Sequence, residues 1–213
     1  MKTKKSERAA KYPALILGAA LTFMLGISAC HGGNSPENTG DSGTETIMQT
    51  SWAHSYSNIS ELDKSSDFIG LVEIIGELRF EEILPDGVAQ KTEGVYTIPL
   101  TVYSAKVLDG IVSDSDTIEI VMTGKAGEVQ IADDPLMSAG EKWFIFAAKN
   151  DDGTCTILGG PQGRFIYYRD SDTISSLKYS AYSRSELESE PGLQMTDLKL
   201  SEVKAEIAGL RSK

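Results

Sequence analysis

The chain has 213 residues, of which 40% are hydrophobic and 24% charged, and it carries 31 Asp and Glu against 20 Lys and Arg. This length is enough for one hydrophobic core and marginal for two, so we expect a single folded domain. An acidic surface is repelled by nucleic acid phosphates and by anionic lipid headgroups, which argues against nucleic acid as a partner. With two cysteines and two histidines in the chain, we expect no His/Cys metal cluster and no cofactor.

The first 29 residues have the pattern of an export signal. Residues 1–11 contain four lysines and one arginine, and residues 14–27 contain no charged side chain. As a helix this apolar run would be roughly 21 Å long at about 1.5 Å per residue, which is short of the ~30 Å hydrocarbon core of a bilayer. The pattern therefore predicts a signal peptide rather than a membrane-spanning helix.

The sequence Ile-Ser-Ala-Cys at residues 27–30 resembles the lipobox of bacterial lipoproteins at all four positions. The resemblance implies cleavage between Ala29 and Cys30, a diacylglyceryl group on the thiol of Cys30, and a location on the extracytoplasmic face of a bacterial membrane. Several acyl chains anchor a protein stably, because each buried methylene contributes about 0.8 kcal/mol. The alternative is an ordinary secretory signal that ends near a cysteine.

The stretch from Cys30 to residue 58 is predicted to be a flexible acidic linker. Residues 31–46 contain no large apolar side chain and are rich in Gly, Ser, Thr and Asn. Of the 20 Lys and Arg, five lie in residues 1–29, and of the 31 Asp and Glu, one does, which leaves residues 30–213 with a net charge of −15. We therefore expect the acyl chains, and not a basic patch, to hold the protein at the membrane.

The first predicted elements after the linker are a short helix and a long strand. The helix is expected at Ile59–Lys64, with Ser60 as its N-cap. The run DFIGLVEIIGELRFEEI follows it and is rich in apolar residues. Because this run contains Gly70 and Gly76, we expect a strand that bends or bulges at these positions.

Several further strands are predicted from the alternation of apolar residues. Residues 96–103 alternate with period two, which is typical of a half-buried strand. Pro99 cannot donate a ladder hydrogen bond, so we expect it at a sheet edge or a bulge. The remaining predicted strands lie at 117–123, 141–149, 154–158 and 164–168, with an Asp-Gly hairpin turn in 150–153.

The predicted folded domain, residues 59–213, ends in a helix that begins at Ser201 as its cap. Val203, Ile207 and Leu210 lie on one face of this helix and are expected to dock on the strands. Five successive strands with short flanking helices predict a mostly β fold, a small Greek-key barrel of the OB-like type. A β-sandwich is the alternative.

Four segments resemble the OB-like, netrin-module-like barrels of small exported bacterial domains. They are SSDFIGLVEI, TIPLTVYSAKVLDG, LMSAGEKWFIFAA and GGPQGRF, within Ile59 to Tyr168. The resemblance concerns strand order and apolar spacing and implies a fold, since it includes no catalytic motif. Some netrin-like modules bind a protease zinc through a free N-terminal cysteine, a role that an acylated Cys30 would not support.

The candidate ligand-binding residues are Arg164, Tyr167 and Tyr103. The glycines of Gly159–Phe165 would let backbone N–H groups face an anion beside Arg164, whereas a bulged connection between strands explains the same glycines. The tyrosines suit stacking against a glycan, or else cover an edge of the core. Cys155 is expected to be a small buried side chain.

The sequence thus predicts a non-enzymatic domain, anchored in a membrane by lipid, that binds an unidentified component of the cell envelope. The partner is expected to be an envelope protein, and the alternative is a glycan-binding module that uses the tyrosines and Arg164. A hydrolase ranks third, because the chain contains no G-x-S-x-G motif and no complete set of penicillin-interactive motifs.

Overall fold

A computed structural model of the protein describes residues 46–48, 54–85, 95–112, 115–177 and 197–212. These ranges contain ten strands, two α-helices and one 3-10 helix, which confirms the predicted mostly β class. The strands are β1 (Thr46–Met48), β2 (Phe68–Ile83), β3 (Ile98–Val112), β4 (Thr117–Thr123), β5 (Val129–Ile131), β6 (Lys142–Lys149), β7 (Cys155–Ile157), β8 (Arg164–Tyr168), β9 (Thr173–Ser176) and β10 (Leu198–Lys199). The helices are α1 (Ile59–Ser65), the 3-10 helix (Gly160–Gly163) and α2 (Leu200–Arg211).

Eight of the described strands form one sheet in the order β10-β9-β8-β6-β2-β3-β4-β7. Neighbours from β6 through β2 and β3 to β4 are antiparallel. Strand β7 pairs in parallel with β4, where Cys155 lies opposite Ile120. It also pairs antiparallel with β6, where Ile157 lies opposite Ala147. Strand β7, although only three residues long, is therefore paired with a neighbouring strand on each side.

Strand β2 pairs irregularly with β3 at the two glycines where the sequence predicted a bend or bulge. The register shifts four times: at Gly70, between Leu71 and Val72, at Gly76, and between Glu77 and Arg79. A Cβ atom at Gly70 would lie 2.8 Å from the carbonyl oxygen of Asp109, so a larger residue would force the two strands apart. Ile69–Glu73 of β2 pair with both β3 and β6. From Glu77 to Ile83, β3 is the one described strand that pairs with β2.

Two groups of buried apolar side chains lie on opposite faces of the sheet. We call the first the helix-covered core, because α1 and α2 contribute to it together with the sheet. The second, the strand-lined core, is formed by β2, β3, β4, β6 and β7 with Met137. The predicted central strand β6 contributes to both, with Phe144 and Phe146 on one face and Trp143, Ile145 and Ala147 on the other.

The predicted N-caps of both helices are wrong by two residues, since the caps are Asn58 and Lys199. Asn58, and not Ser60, caps α1, since its side chain accepts a hydrogen bond from the backbone N–H of Glu61. Helix α2 begins at Leu200, so Ser201 lies inside the helix. The predicted stripe is confirmed, because Val203 and Ile207 are buried and Leu210 packs against the helix-covered core. No helix in the described ranges is long and apolar enough to cross a bilayer.

Some described residues before Ile59, the predicted start of the folded domain, make hydrogen bonds with residues after it. Strand β1 lies within the predicted linker and pairs in parallel with β5. Tyr56 is buried, and its backbone N–H donates to the side chain of Gln162 at 2.9 Å. Linker composition does not reveal such pairings, because they depend on partners more than 80 residues away. Ala29, Cys30 and the rest of 1–45 lie outside the described residues.

Candidate functional site

Arg164 is completely buried at the start of β8. Its Nη2 lies 2.6 Å from Oδ1 of Asp134 and donates to the carbonyl oxygen of Pro135 at 2.6 Å. The guanidinium also lies 4.9 Å from the ring centre of Trp143. Burial raises the pKa of the Asp134 carboxyl, while the charge of Arg164 acts in the opposite direction. The predicted ligand-binding arginine therefore holds the loop after β5 against the sheet and is not exposed to solvent.

The structure does not bring Arg164 and Tyr167 onto one face. Side chains alternate along a strand, so the two residues lie on opposite sides of β8. Arg164 contacts the strand-lined core, whereas Tyr167 packs against the helix-covered core. The hydroxyl of Tyr167 donates to Oδ1 of Asp172 at 3.1 Å, and partial burial together with this carboxylate raises its pKa.

The glycine-rich loop Gly159–Phe165 is tightly packed. Residues 160–163 form the 3-10 helix, and Gly159 before it has a left-handed backbone with φ of 59°. A Cβ atom at Gly163 would lie 2.2 Å from the carbonyl oxygen of Leu158. The glycines are explained by this close approach of two backbone segments, which favours a structural connection over an anion-binding loop.

Tyr103 borders a cavity of about 460 Å³ at one end of the strand-lined core. The wall includes Glu77, Gln130, Met137 and Ser138, so it combines polar and apolar side chains. Burial raises the pKa of Tyr103 to about 12, and the carboxylate of Glu77 acts in the same direction. The tyrosine is 1% exposed, so it forms part of the wall and does not stack on an open surface.

The sequence did not reveal a surface that we call the ribbon, residues 75–83 of β2 paired with the first part of β3. Four large apolar side chains are exposed on its β2 strand. Ile75 and Leu78 are the extra residues at two register shifts, so bulges turn them outward. The four side chains are Ile75 (57% exposed), Leu78 (52%), Phe80 (40%) and Ile83 (43%).

Charged groups lie along the ribbon beside its apolar side chains. Arg79 forms ion pairs with Glu81 on its own strand and with Glu119 on β4. The ammonium group of Lys125 lies 4.5 Å from the centre of the Phe80 ring. Exposed apolar side chains beside charged ones, as along this strand, have the composition of a contact surface for a macromolecule.

No set of three His, Cys, Asp or Glu side chains in the described ranges is placed to hold a metal ion. Cys155 is buried in the strand-lined core, as predicted, and burial raises the pKa of its thiol. A raised pKa opposes formation of the nucleophilic thiolate.

Tyr168 is the exposed aromatic residue of β8, with 44% of its surface accessible. Together with Arg169, Asp170 and Asp197, it borders a shallow depression of about 390 Å³ beside the β8–β9 turn.

Comparison of the chain with protein-family models, curated proteins and solved structures finds no match. Function must therefore be inferred from the residues of this chain.

Proposed function

We propose that the protein is a lipid-anchored, non-enzymatic binding domain on the extracytoplasmic face of a bacterial membrane, and that it contacts another envelope component through the ribbon. The exposed apolar side chains of the ribbon carry this proposal. Ile75, Leu78 and Phe80 follow closely along one strand and are each at least 40% exposed. Exposed apolar clusters mark sites of contact with other macromolecules, because their burial is favourable.

The anchor is supported by the order of the N-terminal features. A basic segment, an uncharged apolar run of 14 residues and the lipobox-like residues 27–30 follow one another in the order of a lipoprotein signal. The composition of residues 31–45 is that of a flexible coil, which spans about 20 Å at 5 to 6 Å times the square root of its length. Such a tether would keep the domain close to the membrane and free to reorient.

We further propose that β2, β3, β4, β6 and β7 form a small Greek-key, OB-like barrel that is similar to netrin modules. The pairings of β7 support this architecture. Backbone pairing runs from β6 through β2, β3 and β4 to β7, and β7 in turn pairs with β6. A β-sandwich remains the alternative, since β8, β9 and β10 extend the sheet on the other side of β6.

A glycan-binding module is the second candidate function. The depression beside Tyr168 favours it, because an exposed aromatic ring next to Arg169 and Asp170 offers stacking together with hydrogen-bond donors and acceptors. Binding to isolated cell-wall glycan should then be lost in Tyr168→Ala and retained in Tyr96→Ala, which removes an exposed tyrosine elsewhere. Equal binding by both variants would contradict a glycan site at this position.

The anchor is tested by membrane fractionation of cells that express the full chain. Wild type and Cys155→Ala should both sediment with membranes, whereas Cys30→Ala should not, because it lacks the thiol that is acylated. Cys155→Ala is the matched control, since it removes the other cysteine of the chain. Retention of Cys30→Ala in the membrane fraction would contradict lipid anchoring.

The ribbon is tested by a photoreactive phenylalanine analogue placed at Leu78 in the full chain. Illumination of intact cells should produce crosslinked species from this position. The same analogue at Ala205, an exposed residue of α2, is the control and should produce few. Equal crosslinking from both positions would show that the ribbon is not a preferred contact surface.

A further inference from the structure

We infer that the β2 edge of the ribbon, Glu77–Ile83, pairs antiparallel with the same edge of a second copy of this chain. The inference rests on the proposed role of the ribbon as the contact surface, and it names the partner. Two domains would then share a continuous sheet across a two-fold axis, the commonest symmetry of protein dimers.

Within the described ranges, β3 is the strand that pairs with this edge. Up to Glu73, β2 pairs with β6, and Ile74 exchanges backbone hydrogen bonds with Gly140 and Glu141. From Glu77 to Ile83 the strand pairs with β3 on one side, and no strand of the described ranges pairs with it on the other. An extended strand edge is a template for the addition of another strand.

The sequence of the edge favours one register of self-pairing. Centring the two-fold axis on Phe80 places Phe80 opposite its own copy, and Arg79 opposite Glu81 of the second copy on both sides of the axis. Opposite charges in directly facing positions stabilise a strand pair. The seven residues from Glu77 to Ile83 then pair in full, without any residue that already pairs with β6.

The neighbouring registers are less favourable. An axis at Arg79 places two arginines opposite each other, and an axis at Glu81 does the same for two glutamates. An axis at Leu78 would place Ile83 opposite Glu73, which is already paired with Lys142 of β6. Like charges disfavour the axes at Arg79 and Glu81, and the pairing of Glu73 with β6 disfavours the axis at Leu78, so the register centred on Phe80 is the one we infer.

A second copy of the chain is complementary to this edge. Under two-fold symmetry, Arg79 of each copy faces Glu81 of the other copy. Elsewhere the two copies repel each other, because the chain as a whole is acidic. Pairing also shields part of Leu78 and Phe80 from water. Attachment of both copies to one membrane would raise their effective concentration.

The inference is tested by Phe80→Cys in the full chain, oxidised in isolated membranes and analysed on a non-reducing gel. Directly facing residues of antiparallel strands have Cα atoms about 4.5 to 5.5 Å apart, within the range of a disulfide. A dimer should form from most of this variant. Ala205→Cys and the wild type are the controls for random collision and for the native cysteines. Dimer formation no greater than in the controls would overturn the inference.

Charge reversal tests the register. In the Phe80→Cys background, Arg79→Glu should reduce the dimer several-fold, because it places like charges opposite each other. Adding Glu81→Arg should restore the dimer, since it exchanges the two charges. Failure to restore it, with far-UV circular dichroism unchanged, would overturn the proposed pairing.

The two proposals fail in different ways. Crosslinks from Leu78 to other envelope proteins, without a disulfide dimer from Phe80→Cys, would reject the second copy and retain the ribbon as a contact surface. Absence of both products would reject both proposals. A disulfide dimer together with a Leu78 crosslink at twice the mass of the chain is the result that we expect.

Discussion

Nη2 of Arg164 lies 2.6 Å from Oδ1 of Asp134, and the two side chains are 0% and 10% exposed. The pair connects the first residue of β8 with the loop that follows β5. Removal of two charges from water is expensive, and the bond to Pro135 and the contact with the Trp143 ring offset part of that cost. The pair fixes the position of the loop and therefore shapes the cavity that Leu136 and Met137 border.

Breaking this pair should destabilise the protein more than replacing it. Arg164→Met leaves the Asp134 carboxylate buried without its cation, so we expect the free energy of unfolding to fall by about 3 to 5 kcal/mol. Arg164→Met combined with Asp134→Leu removes both charges and should recover most of that loss. Urea unfolding followed by tryptophan fluorescence measures both effects. A single variant as stable as the wild type would show that the pair does not hold the loop.

The pKa of Tyr103 predicts a loss of stability in alkaline solution. It is raised to about 12, against 10.0 for an ordinary tyrosine. Below pH 10 both the folded and unfolded chains keep this proton, but between pH 10 and 12 only the folded chain does. The free energy of unfolding should therefore fall across this window, by about 3 kcal/mol in total.

Urea unfolding at a series of pH values, compared between wild type and Tyr103→Phe, isolates this contribution. Other groups titrate in both proteins and cancel in the difference. The wild type should lose stability relative to the variant as the pH rises from 10 to 12. A difference that does not change with pH would mean that the hydroxyl titrates alike in the folded and unfolded chains.

Two glycine substitutions should have opposite effects. Gly163→Ala places a Cβ atom 2.2 Å from the carbonyl oxygen of Leu158, so the 3-10 helix must shift and the protein should lose about 2 kcal/mol or more. Gly209→Ala in α2 meets no atom within 4 Å and should stabilise the protein by about 0.5 to 1 kcal/mol. Thermal unfolding of both variants measures the contrast. Equal effects would contradict the close packing of this loop.

Burial should protect Cys155 from thiol reagents. The side chain is 5% exposed and its pKa is raised by burial, so reaction requires local opening of the sheet. With an aromatic disulfide reagent at pH 8, we expect labelling to be roughly 100-fold slower in the native protein than in urea, as for sites that react through opening. An introduced cysteine at Ala205 is the exposed control. Equal rates at the two positions would contradict the buried location.

The sequence allowed the main strands to be predicted because each carries its own pattern. The uninterrupted apolar run of β6 indicated the centre of the core, and the Asp-Gly turn before β7 indicated a hairpin. Strand β1 has three residues and β10 has two, too few for a period to be visible. Their pairing with β5 and β9 depends on distant segments, which a local pattern cannot show.

The candidate site was harder to predict for the same physical reason. Arg164 resembled an exposed ligand-binding residue, because nothing nearby in the sequence shows that Asp134 reaches it across the fold. The exposure of Ile75 and Leu78 depends on bulges, which change the face on which each later residue of a strand lies. A strict period of two therefore predicts that a strand exists, but not which side chains remain exposed after a bulge.

The three residues of β7 have a consequence for the motions of the domain. Backbone pairing between β4 and β6 passes through this short strand, with two paired positions on one side and three on the other. Detachment of Cys155–Ile157 would separate β4 from β6 while the long β2–β3 pairing stays intact. We expect the amide hydrogens of β7 to exchange with solvent before those of β2. The pairing of β7 with β4 and β6 is therefore where the domain would first open.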